Sequence, residues 1–508
     1  MTDPGPGSHR GQVGQGVVMG IEIHSSNFSD KDRERFAECL EDQLGTLRAM
    51  LAAPAFGRGV PSLGAELELY LVDRHGAPAY LNQEVHRLAG DPQLTLELNR
   101  YNLEYNLSPC ALRDGALAAL EREVLDKLKR LGTLLSDFDA RVVPIGILPT
   151  LREHDFGGHC ITNRQRYRAL VAQLLEWRGS DFQIHINGAE PLQLGMTDIT
   201  LEGANTSFQV HLRVEPDHYV NTFNAIQLAT PLALAISANS PSLFGHELWD
   251  ETRVPLFKQS IDTRQTDRYR WSEPPRVCFG HGWLRHDPCE PFEQTVRLYR
   301  PLLPVCATVD LGRRGPPPLD ELRLHQSTVW LWNRPVYDDA DGGHLRVEMR
   351  SFPAGPSAVD MVAGAALMLG LARALRDDMD RLAAALPFNL AEYNFYRAAQ
   401  QGLNARVVWP RPRQQGLRDV PLTQVLEELL PRADDGLRHL GVSQAERDRY
   451  LSVIDARLAA RRNGAEWQRR CLHRLVDEGQ GKAAALGQML ERYIEHSGEN
   501  LPVAEWPM

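Results

Sequence analysis

Four short runs of this chain alternate apolar residues with a polar set unusual for strands that simply face water. In a strand, successive side chains point to opposite faces, so residues i and i+2 share one. Over 65–73, Leu67, Leu69 and Leu71 lie on one face, with Glu66, Glu68 and Tyr70 on the other. Over 102–107, Leu103, Tyr105 and Leu107 alternate with Asn102, Glu104 and Asn106. Over 207–214, Phe208, Val210, Leu212 and Val214 alternate with Ser207, Gln209, His211 and Arg213. Over 345–352, Leu345, Val347 and Met349 alternate with Arg346, Glu348 and Arg350.

A half-exposed antiparallel sheet is the commonest source of alternation and accounts for any one run alone. Taken together, the runs argue for more. Lys is absent from all four, while Glu, His, Gln, Asn and Arg dominate. If the strands are neighbours, three of them bring a Glu to one place. Converging carboxylates repel and must bind cations or protons. Carboxylate oxygens with one imidazole suit Mg²⁺ or Mn²⁺ rather than zinc. Arg350 follows Glu348 by two residues on the same face, where a guanidinium beside metal-binding carboxylates serves a polyphosphate. The residues point to a metal–nucleotide site on the face of an antiparallel sheet, on the premise that all four strands share it.

Such a site needs no glycine loop, and none is found. GQVGQG at 11–16 is not GxGxxG and follows no strand, and GQGKAA at 479–484 has Ala483 where a P-loop needs Ser or Thr. The chain of 508 residues is 43% hydrophobic, enough for a core, which rules out wholesale disorder. Its formal charge of −10 argues against nucleic-acid or anionic-membrane partners and leaves small molecules as the expected ones. A homo-oligomer stays open. Seven cysteines, at 39, 110, 160, 278, 289, 306 and 471, show no CxxC spacing and read as buried, inert thiols. No run reads as a membrane span, and residues 1–16 lack an apolar signal core, so the expected setting is cytoplasmic.

Three segments are expected: a disordered tail at 1–16, a catalytic unit at 20–410 and a helical region at 411–508. Apolar spacing predicts helices over 31–53, 114–135, 164–177 and 218–238, the last started, kinked or interrupted by Pro231. Further helices are predicted over 358–386, 390–402, 420–433, 436–462 and 465–496. Residues 181–203 read as an extra β-hairpin, and the Pro- and Arg-rich 263–320 as irregular structure. His154, His159 and His185 read as structural or exposed histidines.

The segments GAELELYLVD, NLEYNLSP, TSFQVHLRV, ANSPSLFG, LWDETR and RVEMRSFPAGPSAVD occur in that order. Together they resemble the glutamate–cysteine ligase family over roughly 60–410, and NFYRAAQQGLNARV at 394–407 resembles a late helix and turn of that family. The resemblance implies an α+β fold whose curved, mainly antiparallel sheet forms a glutamine-synthetase-like funnel with helices outside. It implies use of ATP and Mg²⁺, with Mn²⁺ as a substitute, to join a carboxylate to an amine through an acyl phosphate. Glutamate and cysteine are the default pair. By motif, Glu66, Glu68, Glu104, His211 and Glu348 match metal ligands. Arg350 matches a phosphate-contacting arginine, and Gln209 fills the first polar slot of the middle strand. Arg253, after the WD pair, matches a residue holding a substrate carboxylate, and Arg166 and Tyr167 match an RY pair with a contact role. Many bacterial relatives carry His-x-His where this chain has Gln209-x-His211, which leaves the amine acceptor open. A guanidino-type phosphotransferase and an inactive binding protein of the same fold are the competing readings.

Overall fold

The four alternating runs do lie in one sheet. The computed structural model describes residues 27–264, 274–307, 315–410 and 417–508. The tail expected at 1–16 falls outside the described residues, as do 265–273 and 308–314 of the Pro- and Arg-rich 263–320 stretch. The first strands are β1 (Ser62–Asp73), β2 (Leu94–Leu96), β3 (Asn102–Asn106), β4 (Cys110–Ala111) and β5 (Ala140–Val143). β6 (Phe182–Ile186) and β7 (Leu192–Met196) form a separate hairpin within the span expected for one, and β8 (Phe208–Val214) follows. Two-residue strands β9 (Ser242–Leu243), β10 (His246–Glu247), β11 (Val277–Cys278) and β12 (Trp330–Leu331) precede β13 (Asn333–Asp338) and β14 (His344–Met349). The main sheet runs β13–β14–β8–β1–β3–β2, with β4 and β5 also pairing with β1. Every pairing in it is antiparallel.

Register follows the two-residue period. Leu67, Val210, Leu345, Val347 and Met349 turn together into the core. Their polar neighbours therefore share the opposite face, since a one-residue slip would invert every strand. The helices of the first half are α1 (Asp30–Leu51), α2 (Asn82–Ala89), α3 (Ala116–Leu135), α4 (Gln165–Arg178), α5 (Pro216–Ser237), α6 (Arg253–Ser260), α7 (Glu290–Leu298) and α8 (Asp320–Gln326). Then come α9 (Ala358–Arg376), α10 (Met379–Ala385), α11 (Phe388–Gln401), α12 (Leu422–His439), α13 (Gln444–Ala460), α14 (Gly464–Asp477) and α15 (Lys482–Gly498).

α5 and α9 pack against each other behind the sheet and are buried along nearly their whole length. α9 is long and apolar enough to cross a membrane, contrary to the sequence reading, yet it is a core helix here, 89% of its most apolar stretch being buried. Pro231 lies inside α5 without ending it. An interior proline costs about 3 kcal/mol. Every side chain from Thr222 to Ser237 is buried, and that packing outweighs the loss.

Other boundaries moved for local reasons. The helix expected over 358–386 divides at Asp377 and Asp378, residue types that favour helix ends over interiors. Asp434 and Asp435 do not break α12, which continues to His439. Gly441 at φ +83° then turns the chain, and Ser443 caps α13 by accepting from the Glu446 amide. The 263–320 stretch holds α7, with Pro291 in its first turn, where proline suits a helix.

The last helices dock on the segment that connects α5 to α6. Asn239 Nδ2 donates to Ala354 O and to the Tyr493 hydroxyl, at 2.8 and 2.7 Å. Gln468 Nε2 donates to Asn239 Oδ1 at 2.8 Å, and Asn239 N donates to Glu251 at 2.9 Å. A fully buried pair, Arg457 with Asp360, joins α13 to the start of α9.

Candidate active site

On the polar face of the sheet, Glu68 lies directly across from Glu104, and Glu348 directly across from His211. Glu66 sits opposite Asn106 on one side and Gln209 on the other. Its Oε1 reaches diagonally to His211 Nε2, 3.2 Å away. The structure thus brings Glu66, Glu68, Glu104, Gln209, His211, Glu348 and Arg350 onto one continuous surface spanning β14, β8, β1 and β3 and the residue after β14.

Charge on this surface is sorted by strand. At the β13–β14 end, Glu348 accepts from Arg334 Nε and Nη2, at 3.0 and 2.7 Å, and from Arg350 Nη1. Burial opposes ionisation of Glu348, but Arg334 and Arg350 overcome it and hold the carboxyl well below its usual range. Arg350 Nη1 also donates to Gln209 Oε1 at 2.5 Å, while Gln209 Nε2 donates to Glu68 Oε1 at 3.0 Å. Gln209 therefore fixes a guanidinium with one end and a carboxylate with the other. Arg346 pairs with Asp338, whose carboxyl is pulled down to about 2 although burial works against it.

Among the described residues, the β1–β3 end is acidic and short of cations. Burial raises the Glu68 carboxyl despite Arg350, and raises Glu104 well above its usual range with help from Glu66, Glu97 and Glu68. Glu97, beside β2, is raised likewise by burial and by Glu68 and Glu202. Burial and Glu68 push Glu202 up to about 7 against the pull of Arg350. Glu66 is held low: burial opposes its charge, and the adjacent imidazole outweighs that.

The remaining residues singled out from sequence are placed differently. Arg166 opens α4 near Arg334 and Glu97, where burial and the neighbouring Arg334 lower its proton affinity. Its Nη2 donates to Ser327 Oγ at 3.4 Å. Tyr167 donates its hydroxyl to Leu96 O at 2.6 Å, so that oxygen anchors α4 to β2. Arg253 is buried, with Nε bonded to Glu251 at 2.5 Å and Nη2 to Ser351 O at 2.6 Å. Its guanidinium braces the exit of β14 from the side of Glu68. His185 stands on the exposed face of the hairpin.

Glu97, Glu202, Arg334, Arg346 and Asp338 were not given a role by sequence reasoning. Thr95 and Glu97 alternate with Leu94, Leu96 and Leu98, a signal of the same kind in a run shorter than the others. Pro335 hides Arg334 and Asp338, since proline argues against a strand except at an edge, which is where β13 lies. Glu202 sits in a 3₁₀ turn with no periodicity to reveal it.

The donor set fits hard divalent cations. Among the described residues, four carboxyls with raised proton affinity lack a positive partner strong enough to keep them charged, and an ion would supply one. His211 Nε2 is a buried nitrogen 3.2 Å from Glu66 Oε1, with no well-formed hydrogen bond among the described residues. Its Nδ1 accepts from Arg346 Nε at 3.1 Å. A neutral ring has one lone pair to give, so ligation at Nε2 requires that contact to open. The carboxylates come one or two to a strand and form a row rather than one tight cage.

The family model described as Glutamate-cysteine ligase family 2 (GCS2) matches residues 62–496. The crystal structure of a glutamate–cysteine ligase from Francisella tularensis in complex with AMP is similar, with a TM-score of 0.52 at 11% identity. The match covers 89% of this chain and 91% of that one, and shows a shared fold. A bifunctional glutathione synthetase from Pasteurella multocida matches at a TM-score of 0.44 and 11% identity, covering 91% of this chain and 55% of that one. The ligase PafA in complex with the ubiquitin-like protein Pup matches at 0.38 and 10%, covering 84% and 71%. No curated protein sequence matches the chain.

Proposed function

The chain belongs to glutamate–cysteine ligase family 2, and from that premise we propose that it is an ATP- and Mg²⁺-dependent carboxylate–amine ligase. Its substrates are the γ-carboxylate of glutamate and the amine of cysteine, joined through an acyl phosphate. The observation that carries this reading is the sorted charge of the sheet face, with Arg334, Arg346 and Arg350 at one end and, at the other, carboxylates that have no salt bridge among the described residues.

Phosphoryl transfer asks mainly for positioning and charge neutralisation. Glu66, Glu68, Glu104, His211 and Glu348 are the residues that would hold divalent cations, and bound ions neutralise phosphate oxygens. Arg350, oriented by Gln209 and Glu348, faces the charge that builds on the transferring group, and Arg334 supports it from the neighbouring strand. Attack of the substrate carboxylate on the terminal phosphorus releases ADP and forms the acyl phosphate. The amine then attacks the acyl carbon, sheds a proton and expels phosphate. Arg166 and Tyr167, at the start of α4, flank the surface near Glu97 and contact substrate in this reading. Arg253 holds the substrate carboxylate by family likeness, and its bonds to Glu251 and Ser351 favour a bracing role.

The test is ADP release with Mg²⁺, ATP and glutamate while amines are varied. Strong stimulation by cysteine supports the proposal. Stimulation by a different amine keeps the ligase and replaces the acceptor. ADP formation with a guanidino compound and no carboxylate identifies a phosphotransferase, and no turnover with any acceptor identifies a binding protein.

A further inference from the structure

Cys39 is far in sequence from Cys306 and Glu321, and the fold brings the three together. Cys39 lies midway along α1, Cys306 in the segment leaving α7, and Glu321 in the first turn of α8. The two sulfurs are 3.9 Å apart. A ligand atom of Glu321 lies within 4.8 Å of both, and among the described residues this is the one group of three such side chains so close. From this geometry we propose a zinc site, separate from the sheet face, made by Cys39, Cys306 and Glu321 with a water as fourth ligand.

Spacing favours an ion over a bond. Two sulfurs each about 2.3 Å from a tetrahedral zinc stand about 3.8 Å apart, whereas a disulfide requires about 2.05 Å. The ligands are two soft sulfurs and one oxygen, which suits zinc better than magnesium. Glu321 is buried and already oriented: Oε1 accepts from the Ala307 amide at 2.8 Å, and Oε2 from Gln43 Nε2. Each carboxylate oxygen has two lone pairs, so one stays free on either atom. Such outer contacts are what hold a metal-binding carboxylate in place. Both thiols are half-buried rather than sealed in the core. Binding displaces one proton from each thiol to solvent and places a divalent charge among three anionic ligands. Each thiol must give up its proton to ligate, so uptake should strengthen as pH rises. The ion would clip α1 to α8 and to the segment after α7.

The experiment uses the full chain, reduced and freed of metal, with excess Mg²⁺ present to occupy the carboxylate-rich face. Zinc is titrated against a chromophoric chelator, and cobalt is used as a spectroscopic stand-in. One equivalent should bind, with a thiolate-to-cobalt charge-transfer band. Cys39→Ser and Cys306→Ser should each abolish that band, and Glu321→Gln should weaken zinc by about tenfold or more. Cys110→Ser should change nothing. Zinc uptake that persists unchanged in both cysteine variants, or no thiolate band at all, overturns the site. A Cys39–Cys306 disulfide in untreated protein, with no zinc uptake after reduction, would replace it with a redox pair.

Discussion

Glu66 and Arg350 occupy opposite ends of the sorted charge on the sheet, and each can be changed without emptying the core. Glu66→Gln keeps the shape and removes one negative charge, while Arg350→Ala unties Glu348 and Gln209 together. Each is expected to lower kcat by about 100-fold or more while the folded spectrum is retained, as measured by ADP release and circular dichroism. A well-folded Glu66→Gln enzyme with unchanged turnover would remove the metal assignment. Asp338 gives a prediction in pH. Burial works against its charge, yet Arg346 holds its carboxyl at about 2, below the 3.8 of an unstrained Asp. A depressed folded value stabilises the protein above pH 4, and that contribution is lost as pH falls from about 4 to about 2. Asp338→Asn should therefore cost on the order of 2 kcal/mol at neutral pH and progressively less in acid, as read by denaturant unfolding. The side chains that face the site were legible where alternation is clean, as with Glu66, Glu68, Glu104, His211 and Glu348. Arg334 was hidden by Pro335, and Glu202 by the irregular backbone of its turn. Arg253 illustrates a different limit: a motif gives a position in the chain, while the partners Glu251 and Ser351 emerge only when the loop folds.

Among the elements, the contact between α9 and α12 is the most exacting. A Cβ added at Gly370 would fall on the Ala433 carbonyl, and one added at Gly436 would fall on the carbonyl of Gly370. The two backbones touch there, with no flexible side chain between them to yield. Gly370→Ala should destabilise the protein by about 3 kcal/mol, seen as a lower denaturation midpoint, despite the better helix propensity of alanine. The same helix shows why elements were easier to read than their arrangement. Its apolar character announced a helix, but the same apolar run suits a membrane or a core. The choice was made by α5, α12 and α13, which surround it and are remote in sequence. Strand order was beyond alternation too. β1 pairs with β3, β4, β5 and β8, and nothing local specifies four partners for one strand.

For the molecule as a whole, the carboxylate row is a burden carried by the fold. Glu97 has a raised proton affinity in the folded state, caused by burial and then by Glu68 and Glu202. A raised folded value means that its favourable contribution is complete below the unfolded value, near pH 4.3, and is lost as pH climbs through the folded one. At pH 7.5 without divalent cations, Glu97 thus works against folding. Glu97→Gln should raise the thermal midpoint on the order of 2 °C, and added Mg²⁺ should narrow the difference between the two proteins. The C-terminal helices share in this balance because Asn239, Glu251 and Arg253 connect them to the end of β14 beside the row. A consequence reaches beyond turnover. Under the proposed function, the folded fraction depends on free magnesium, and cellular proteases remove the rest. How much of this protein a cell retains would then follow its supply of the ion, so scarcity would lower abundance as well as rate.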